Sequence, residues 1–383
     1  MKKVLFDLLS AQPIGTSKYH GGGEYIKRVF KCLVDEFSEN LEITVFYDKD
    51  KFLDEWVLEY IEKNKIEIID VKGIGAVQTV LNMNKYNTFY SGMPYGYGKI
   101  DFPESMRTIG TFHGLRALEK YTDIYEYKYY TGMKAVKPLV KKVLQGFRYK
   151  QIHAWYERSI TNFQNIVCVS KHTQYAIMNL FPEFTETQLQ TFYTPAKVSD
   201  AISKGKYVEI VQNYGKYILI IGTNRWEKNG YRVIKALDFI LNRDDLNEYK
   251  VITVGEIPFN IKKSIRHVDR FIMLGYIEPE YLESLYAYCD VFLYPSLNEG
   301  FGMPPLEAMK YGKTCVVSGV CSLPELCGDA VYYINPYDIR EMGARILHAV
   351  YEKKDIDMVM NQYKKVYNKQ EKDLRNLCNF IIA

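Results

Sequence analysis

The chain has 383 residues, 47% hydrophobic and 25% charged, the profile of a globular protein with room for two domains rather than one small core. A formal net charge of +4 is too small to argue for nucleic acid, and no RNP, KH or zinc-finger pattern accompanies it. The seven cysteines form no C-x-x-C pair, and Cys315, Cys321 and Cys327 have no closely spaced His or Cys partners, so they read as reduced core thiols rather than zinc ligands.

In chain order, the first residues place two lysines before a short apolar run broken by Asp7, too brief for a signal-peptide core, and no later run approaches the roughly 20 apolar residues of a membrane span. A cytoplasmic protein is expected. Val4-Leu5-Phe6, Ile43 to Phe46, Ile66 to Ile69, Thr108 to Phe112 and Ile166 to Val169 read as short strands separated by helix-period segments, the alternation of βα units on a parallel sheet. After the first strand come Gly21-Gly22-Gly23-Glu24 and a helix expected to begin near Tyr25; the glycines allow close backbone approach to a ligand, although neither G-x-G-x-x-G nor a Walker loop is present.

Asp48-Lys49-Asp50 is formally a D-x-D, but it lies in a charged stretch after a strand and reads as a solvated loop, with no metal expected. His113 ends the strand Thr108 to Phe112. From Tyr127 to Lys171 nine lysines and arginines are opposed by Glu157 alone. Within that stretch Val136, Leu139, Val140, Val143, Leu144 and Phe147 recur at helical spacing. Two readings stand: a basic amphipathic helix resting on anionic lipid through Lys134–Lys150, or a core helix with a solvated basic face.

Thr191 to Gly205 is poor in apolar runs and carries Pro195, Ser199 and Ser203, which places a hinge there. Beyond it the strand pattern repeats at Tyr217 to Ile221, Lys250 to Val254, Phe271 to Leu274, Val291 to Tyr294, Thr314 to Val317 and Ala330 to Ile334. The fold class is therefore α/β, with two Rossmann-like domains expected to face each other across a cleft: residues 1–195, residues 205–360, and a C-terminal helix, 361–383, crossing back to the first. In such sheets ligands sit beyond the carboxyl ends of the strands.

The loop after Val291–Tyr294 contains Glu299, Gly300, Phe301 and Gly302 and feeds a helix opening Met303-Pro304-Pro305-Leu306-Glu307, where proline is tolerated. Amides near Gly302 and Met303 suit a phosphate oxygen. Glu299 and Glu307 suit neutral hydroxyls that donate to a carboxylate. A diphosphate together with sugar hydroxyls describes a nucleotide sugar. Singly, each glutamate has a plainer reading, as a solvated loop acid or a helix-dipole partner.

The whole segment, with its E-x7-E spacing, its GFG-x-P turn and the Pro324-Glu325 pair, resembles the donor-binding region of family 4 retaining glycosyltransferases of the GT-B fold. Leu274-Gly275-Tyr276-Ile277 looks like the family's nucleobase-lining segment, and Gly222 to Asn229 like its diphosphate loop. The resemblance implies that Lys228 and Arg225 bind the diphosphate, with a surface salt bridge as the alternative for Arg225. It implies that Glu299, beside the amides of Gly300, Phe301, Gly302 and Met303, holds the sugar, that Glu307 takes the ribose, and that Tyr276 and Ile277 line the base. Gly22 and Gly23 would approach the donor phosphate or acceptor. His113, followed by Gly114 where relatives carry aspartate, would orient the sugar.

The implied activity is metal-independent, retaining transfer of a hexose-type sugar to a hydroxyl of a glycan or lipid-linked acceptor, in bacterial-type surface polysaccharide synthesis, with no cofactor. A sugar-nucleotide epimerase of similar fold and a non-catalytic nucleotide-sugar-binding subunit are the alternatives.

Overall fold

The computed structural model describes residues 2–13, 19–37, 39, 41–83, 85–197 and 206–383; residues 198–205 of the expected hinge lie outside these. The chain divides into two compact units, one of Met1–Leu115, Lys150–Lys197 and Asn368–Ala383, the other of Arg116–Tyr149 and Val198–Tyr367.

The first unit is built on seven strands, β1 (Lys2–Asp7), β2 (Leu41–Tyr47), β3 (Glu67–Asp70), β4 (Thr88–Ser91), β5 (Arg107–Phe112), β6 (Asn165–Cys168) and β7 (Leu189–Thr191), in the order β3-β2-β1-β4-β5-β6-β7. Every pairing is parallel. The second unit holds β8 (Tyr217–Ile221), β9 (Lys250–Val254), β10 (Phe271–Leu274), β11 (Val291–Tyr294), β12 (Thr314–Ser318) and β13 (Tyr332–Ile334), in the order β10-β9-β8-β11-β12-β13, again all parallel. Parallel strands covered on both faces need apolar side chains in both directions, which is why β11 reads VFLY and is buried throughout. The helices Gly230–Ile240 and Ile339–Tyr351 close one face with Val233, Ile234, Leu237 and Ile240 against Met342, Ile346 and Val350, spacings of three and four that line one helical side.

Two strands escaped the sequence reading. Central β4, TFYS, is four residues long with polar ends, and β7, LQT, is a mostly polar edge; neither offers a periodic signal. The helix expected near Tyr25 begins at Gly21. His20 Nδ1 accepts the Gly23 N–H at 3.0 Å, in the manner of a capping side chain, so the glycines form the first turn.

Three further expectations are corrected. Asp48 is buried, with Lys72 Nζ 2.9 Å from its carboxylate and its carbonyl accepting from Gln12 Nε2 at 2.8 Å, so it ties a loop together rather than lying in solvent. Residues 116–149 group with the second unit, not with 1–115. This arm is clamped by Asp123, whose two oxygens each lie 3.0 Å from Arg232. Tyr129 Oη accepts the Tyr231 N–H at 2.8 Å, and Asn260 Nδ2 donates to the Tyr130 carbonyl at 2.6 Å. Finally, the apolar residues at 136–147 are not a core helix: they fall across a 3-10 turn (Gly132–Val136) and the helices Lys137–Val143 and Gln145–Thr161, and all six are exposed. The C-terminal helix Ile356–Ile382 has its first residues in the second unit and those from Asn368 in the first.

Asp123 and Arg232 are almost fully buried, at 5% and 3% side-chain exposure. Removing one member of such a pair strands a buried charge, so Asp123→Ala should destabilise the second unit by about 3–5 kcal/mol and expose the arm to protease, whereas Asp123→Leu with Arg232→Met should recover most of the loss. Urea denaturation and limited proteolysis read both effects; an unchanged midpoint in Asp123→Ala would show that the fork does not hold the arm.

Candidate functional site

In the second unit the chain runs outward from β8 through β9 to β10, then returns to the other side of β8 to continue as β11, β12 and β13. The loops after β8 and β11 therefore diverge from a topological switch point, where α/β sheets form their ligand crevice. Register fixes them side by side: Ile218 pairs with Val291, Leu219 with Phe292 and Ile220 with Leu293.

From these loops Lys228 and Glu299 meet. Lys228 Nζ lies 2.5 Å from Glu299 Oε1 and 2.6 Å from Tyr294 Oη; Tyr294 and Ser296 also donate to Glu299 Oε1, at 2.7 and 2.5 Å. Lys228 and Glu299 have side-chain exposures of only 15% and 13%. Burial pushes the Glu299 carboxyl up, but Lys228 and the hydroxyls outweigh it and hold the group below the usual glutamate value. Burial pulls Lys228 down, and Glu299 restores only part of the loss. Tyr294 stays a phenol, raised first by burial and then by the Glu299 charge, and so acts as a donor to the carboxylate.

Arg225 stands one turn earlier and is committed to Glu227, with Nη2 at 2.7 Å and Nε at 3.0 Å from Oε1. Arg116, delivered by the arm, reaches the same oxygen at 3.0 Å. Against its burial, these two guanidinium groups bring Glu227 below the ordinary range. The salt bridge considered for Arg225 from sequence is thus formed, while its guanidinium still feels the charge of Glu299. The Glu227 carbonyl accepts the Leu297 N–H at 2.8 Å, which fastens the two loops.

Gly302 caps the helix Met303–Met309 with φ +105°, and a Cβ there would fall 2.5 Å from Leu323 Cδ2, so the position requires glycine. Ser322, from the loop after β12, donates to the Phe301 carbonyl at 2.5 Å and thereby holds the Gly300-Phe301-Gly302 turn. Met303 is the first helical residue, which puts Glu307 in the second turn rather than beside the positive end of the dipole; its side chain is buried. Tyr276 and Ile277 follow β10 on the same sheet edge, Tyr276 80% exposed and Ile277 half-buried.

The remaining sequence-predicted residues belong to the first unit, whose own switch point lies between β1 and β4. Gly22 packs there against the loop after β4: a Cβ would lie 2.1 Å from Met93 Sδ, and one at Gly23 would lie 2.8 Å from the Ala11 carbonyl oxygen. His113 follows β5; its Nε2 is 2.8 Å from the Gly92 carbonyl, its N–H donates to Tyr95 Oη at 2.7 Å and its ring stands edge-on to Tyr25. With the N–H on Nε2 and the ring partly withdrawn from water, loss of hydration brings its pKa down to about 4.

The structure thus gathers Lys228, Arg225, Glu299 and the Gly300–Met303 turn in one unit and gives Gly22, Gly23 and His113 to the other. Sequence reading missed Tyr294, Ser296, Ser322 and Arg116. Tyr294 and Ser296 had a usable signal, being polar side chains at and just past a strand's carboxyl end; Arg116 is far away in sequence and had none.

Residues 209–369 match the family model described as glycosyl transferases group 1. The chain is 31% identical over 202 residues to the O-antigen chain mannosyltransferase B of Escherichia coli, covering 50% of this chain and 53% of that protein; the match spans about half the length of that relative. Among solved structures, sucrose-phosphate synthase from Thermosynechococcus elongatus superposes with a TM-score of 0.69 at 13% identity, over 99% of this chain and 98% of that one. Anabaena Alr3699/HepE in complex with UDP gives 0.66 at 14% identity, over 99% and 100%. At such identities the likeness establishes the fold, the two-domain GT-B type.

Two titrations follow from the geometry. Glu299→Gln removes the anion that raises Lys228, so the lysine pKa falls further and its acylation by an amine-directed reagent should begin at lower pH, followed by peptide mass spectrometry; an unshifted profile would mean the two charges are not coupled. For His113, the folded pKa of about 4 lies below the ordinary histidine value of 6.5. The stabilisation from a neutral imidazole is therefore complete above pH 6.5 and lost as pH falls towards 4, by up to about 3 kcal/mol. Denaturation midpoints of the His113→Gln variant should lose that part of the pH dependence.

Proposed function

We propose, on the premise that residues 209–369 form a glycosyl transferases group 1 domain, that this chain is a retaining glycosyltransferase. It would move a hexose-type sugar from a nucleoside-diphosphate sugar to a hydroxyl of a glycan or lipid-linked acceptor in surface polysaccharide synthesis. The observation that carries this reading is the buried Lys228–Glu299 pair at the switch point of the second unit. The pair sets side by side a cation, suited to a phosphate oxygen, and a carboxylate, suited to accept from hydroxyls. Relatives named for mannosyl transfer support a hexose donor, and structural neighbours holding UDP or UDP-glucose support a nucleotide sugar.

In this reading Lys228, an ammonium with three N–H bonds of which Tyr294 and Glu299 take two, turns the third to a diphosphate oxygen. Arg225 adds a second positive charge. Departure of a nucleoside diphosphate builds negative charge, and preorganised cations in a site of reduced dielectric stabilise it without rearrangement. These side chains supply the countercharge, so catalysis requires no metal. Glu299 and the Gly300–Met303 turn hold the sugar hydroxyls, Glu307 the ribose, and Tyr276 and Ile277 the base. His113, neutral at physiological pH, orients the sugar, and Gly22 and Gly23 admit donor phosphate or acceptor. A leaving-group oxygen takes the acceptor proton on the face from which it departs, and the anomeric configuration is retained. The same reading includes a cytoplasmic location with peripheral contact of Lys134–Lys150 with a membrane that presents acceptor.

Nucleotide release from a panel of UDP-, GDP-, ADP- and TDP-sugars, with and without a mixed acceptor pool, tests it. One donor should be consumed in an acceptor-dependent way, unaffected by EDTA, with the rate falling by roughly 10²–10³ in Lys228→Ala. Glu307→Ala should raise KM for the donor more than it lowers kcat. A sugar isomer formed from donor alone would make the chain an epimerase, and no binding to any donor would make it non-catalytic.

A further inference from the structure

Between Met133 and Tyr149 the arm exposes a row of apolar side chains. Met133 is 90% exposed, Val143 85%, Phe147 67%, Leu139 56% and Val136 53%, with Val140 and Leu144 beside them. Singly exposed apolar residues are ordinary; a run of this density marks an interaction surface. The arm is held by its other side. Pro138 is buried, Lys141 turns inward to Glu126 at 3.1 Å and lies 5.1 Å from the Trp226 ring centroid, and Asp123 takes Arg232. The apolar row is thus left facing solvent by a scaffold that is fixed.

Exposed Lys134, Lys137, Lys142 and Arg148 flank that row, and no Asp or Glu occurs between Glu126 and Glu157. This charge pattern selects among occupants. A second copy meeting the same face about a two-fold axis would set these cations against their own counterparts. A protein interface core is depleted in lysine. An anionic bilayer surface satisfies both features at once, since its headgroups attract the basic side chains and its acyl boundary receives the apolar ones.

We propose that residues 133–149 form a docking surface for an anionic phospholipid bilayer, carried by the second unit, with Met133, Val136, Leu139, Val143 and Phe147 entering the headgroup–acyl boundary. This deepens the membrane contact in the reading above by naming the lipid chemistry and the inserting residues, and it does not depend on sugar transfer.

The full chain is co-sedimented, without donor or acceptor, with vesicles of phosphatidylcholine alone and of an equimolar phosphatidylcholine–phosphatidylglycerol mixture. Binding should be confined to the mixed vesicles and weaken with salt. Each basic residue removed should cost roughly fivefold in partitioning, so Lys137→Gln, Lys142→Gln and Arg148→Gln together should reduce it about a hundredfold. Val143→Asp and Phe147→Asp, both at exposed positions, should abolish binding while circular dichroism stays unchanged. No preference for the anionic vesicles, or wild-type binding by the aspartate variants, overturns the proposal. So does a concentration-dependent dimer in sedimentation velocity that Val143→Asp dissociates, with no vesicle binding, because the face would then be a self-association surface. Since no donor is present, a chain that transfers sugar yet fails here refutes the docking surface alone.

Discussion

The pairing of β8 with β11 is the constraint on which the second unit's chemistry rests. It brings together a lysine and a glutamate 71 residues apart in sequence, each of which is costly to bury alone. Charges leaving water lose hydration that only a partner of opposite sign and additional hydrogen bonds can offset. Tyr294 and Ser296 supply those bonds from the end of β11 and the loop that follows. A buried pair of this kind adds little stability beyond what an apolar pair would give. Its place at a switch point is what the proposed function uses, as a site for a ligand with both anionic and hydroxyl groups.

The second charged system works at a different level. Glu227 sits between Arg225 of its own loop and Arg116 of the arm, and Arg232, on the helix that follows, holds Asp123. The loop after β8 is thus braced by residues from the first half of the sequence. Lys141 continues this brace to the Trp226 ring, so the surface that carries the exposed apolar row and the loop that carries Lys228 share one scaffold. A loop braced in this way holds its cation in place with less conformational entropy to lose on binding.

Most strands were legible in sequence because parallel strands covered on both faces must be continuously apolar, as in YILII and VFLY. TFYS and LQT were not, since a short run with polar ends carries no period even when, like β4, it lies at the sheet's centre. The helix start at Gly21 depends on a side-chain bond from His20, and the burial of Asp48 on Lys72 and Gln12. These are contacts rather than propensities. The candidate site was legible in part: Glu299, Gly302, Glu307 and Lys228 stand in or beside a loop at a strand's carboxyl end, where ligands are expected, while the role expected of each came from the family resemblance and not from position.

By itself the sequence determined the alternation of strand and helix, the two sheets, and the residue types able to meet a diphosphate and a sugar, because these follow from local periodicity and functional-group chemistry. Only the tertiary structure decided that Lys228 and Glu299 share a hydrogen bond, that Arg225 is committed to Glu227, that residues 116–149 belong with the second unit, and that the apolar side of the basic segment faces outward. Each of these rests on which distant segments come into register. That is set by the summed burial and charge pairing of the whole chain and leaves no trace in the composition or period of any one stretch.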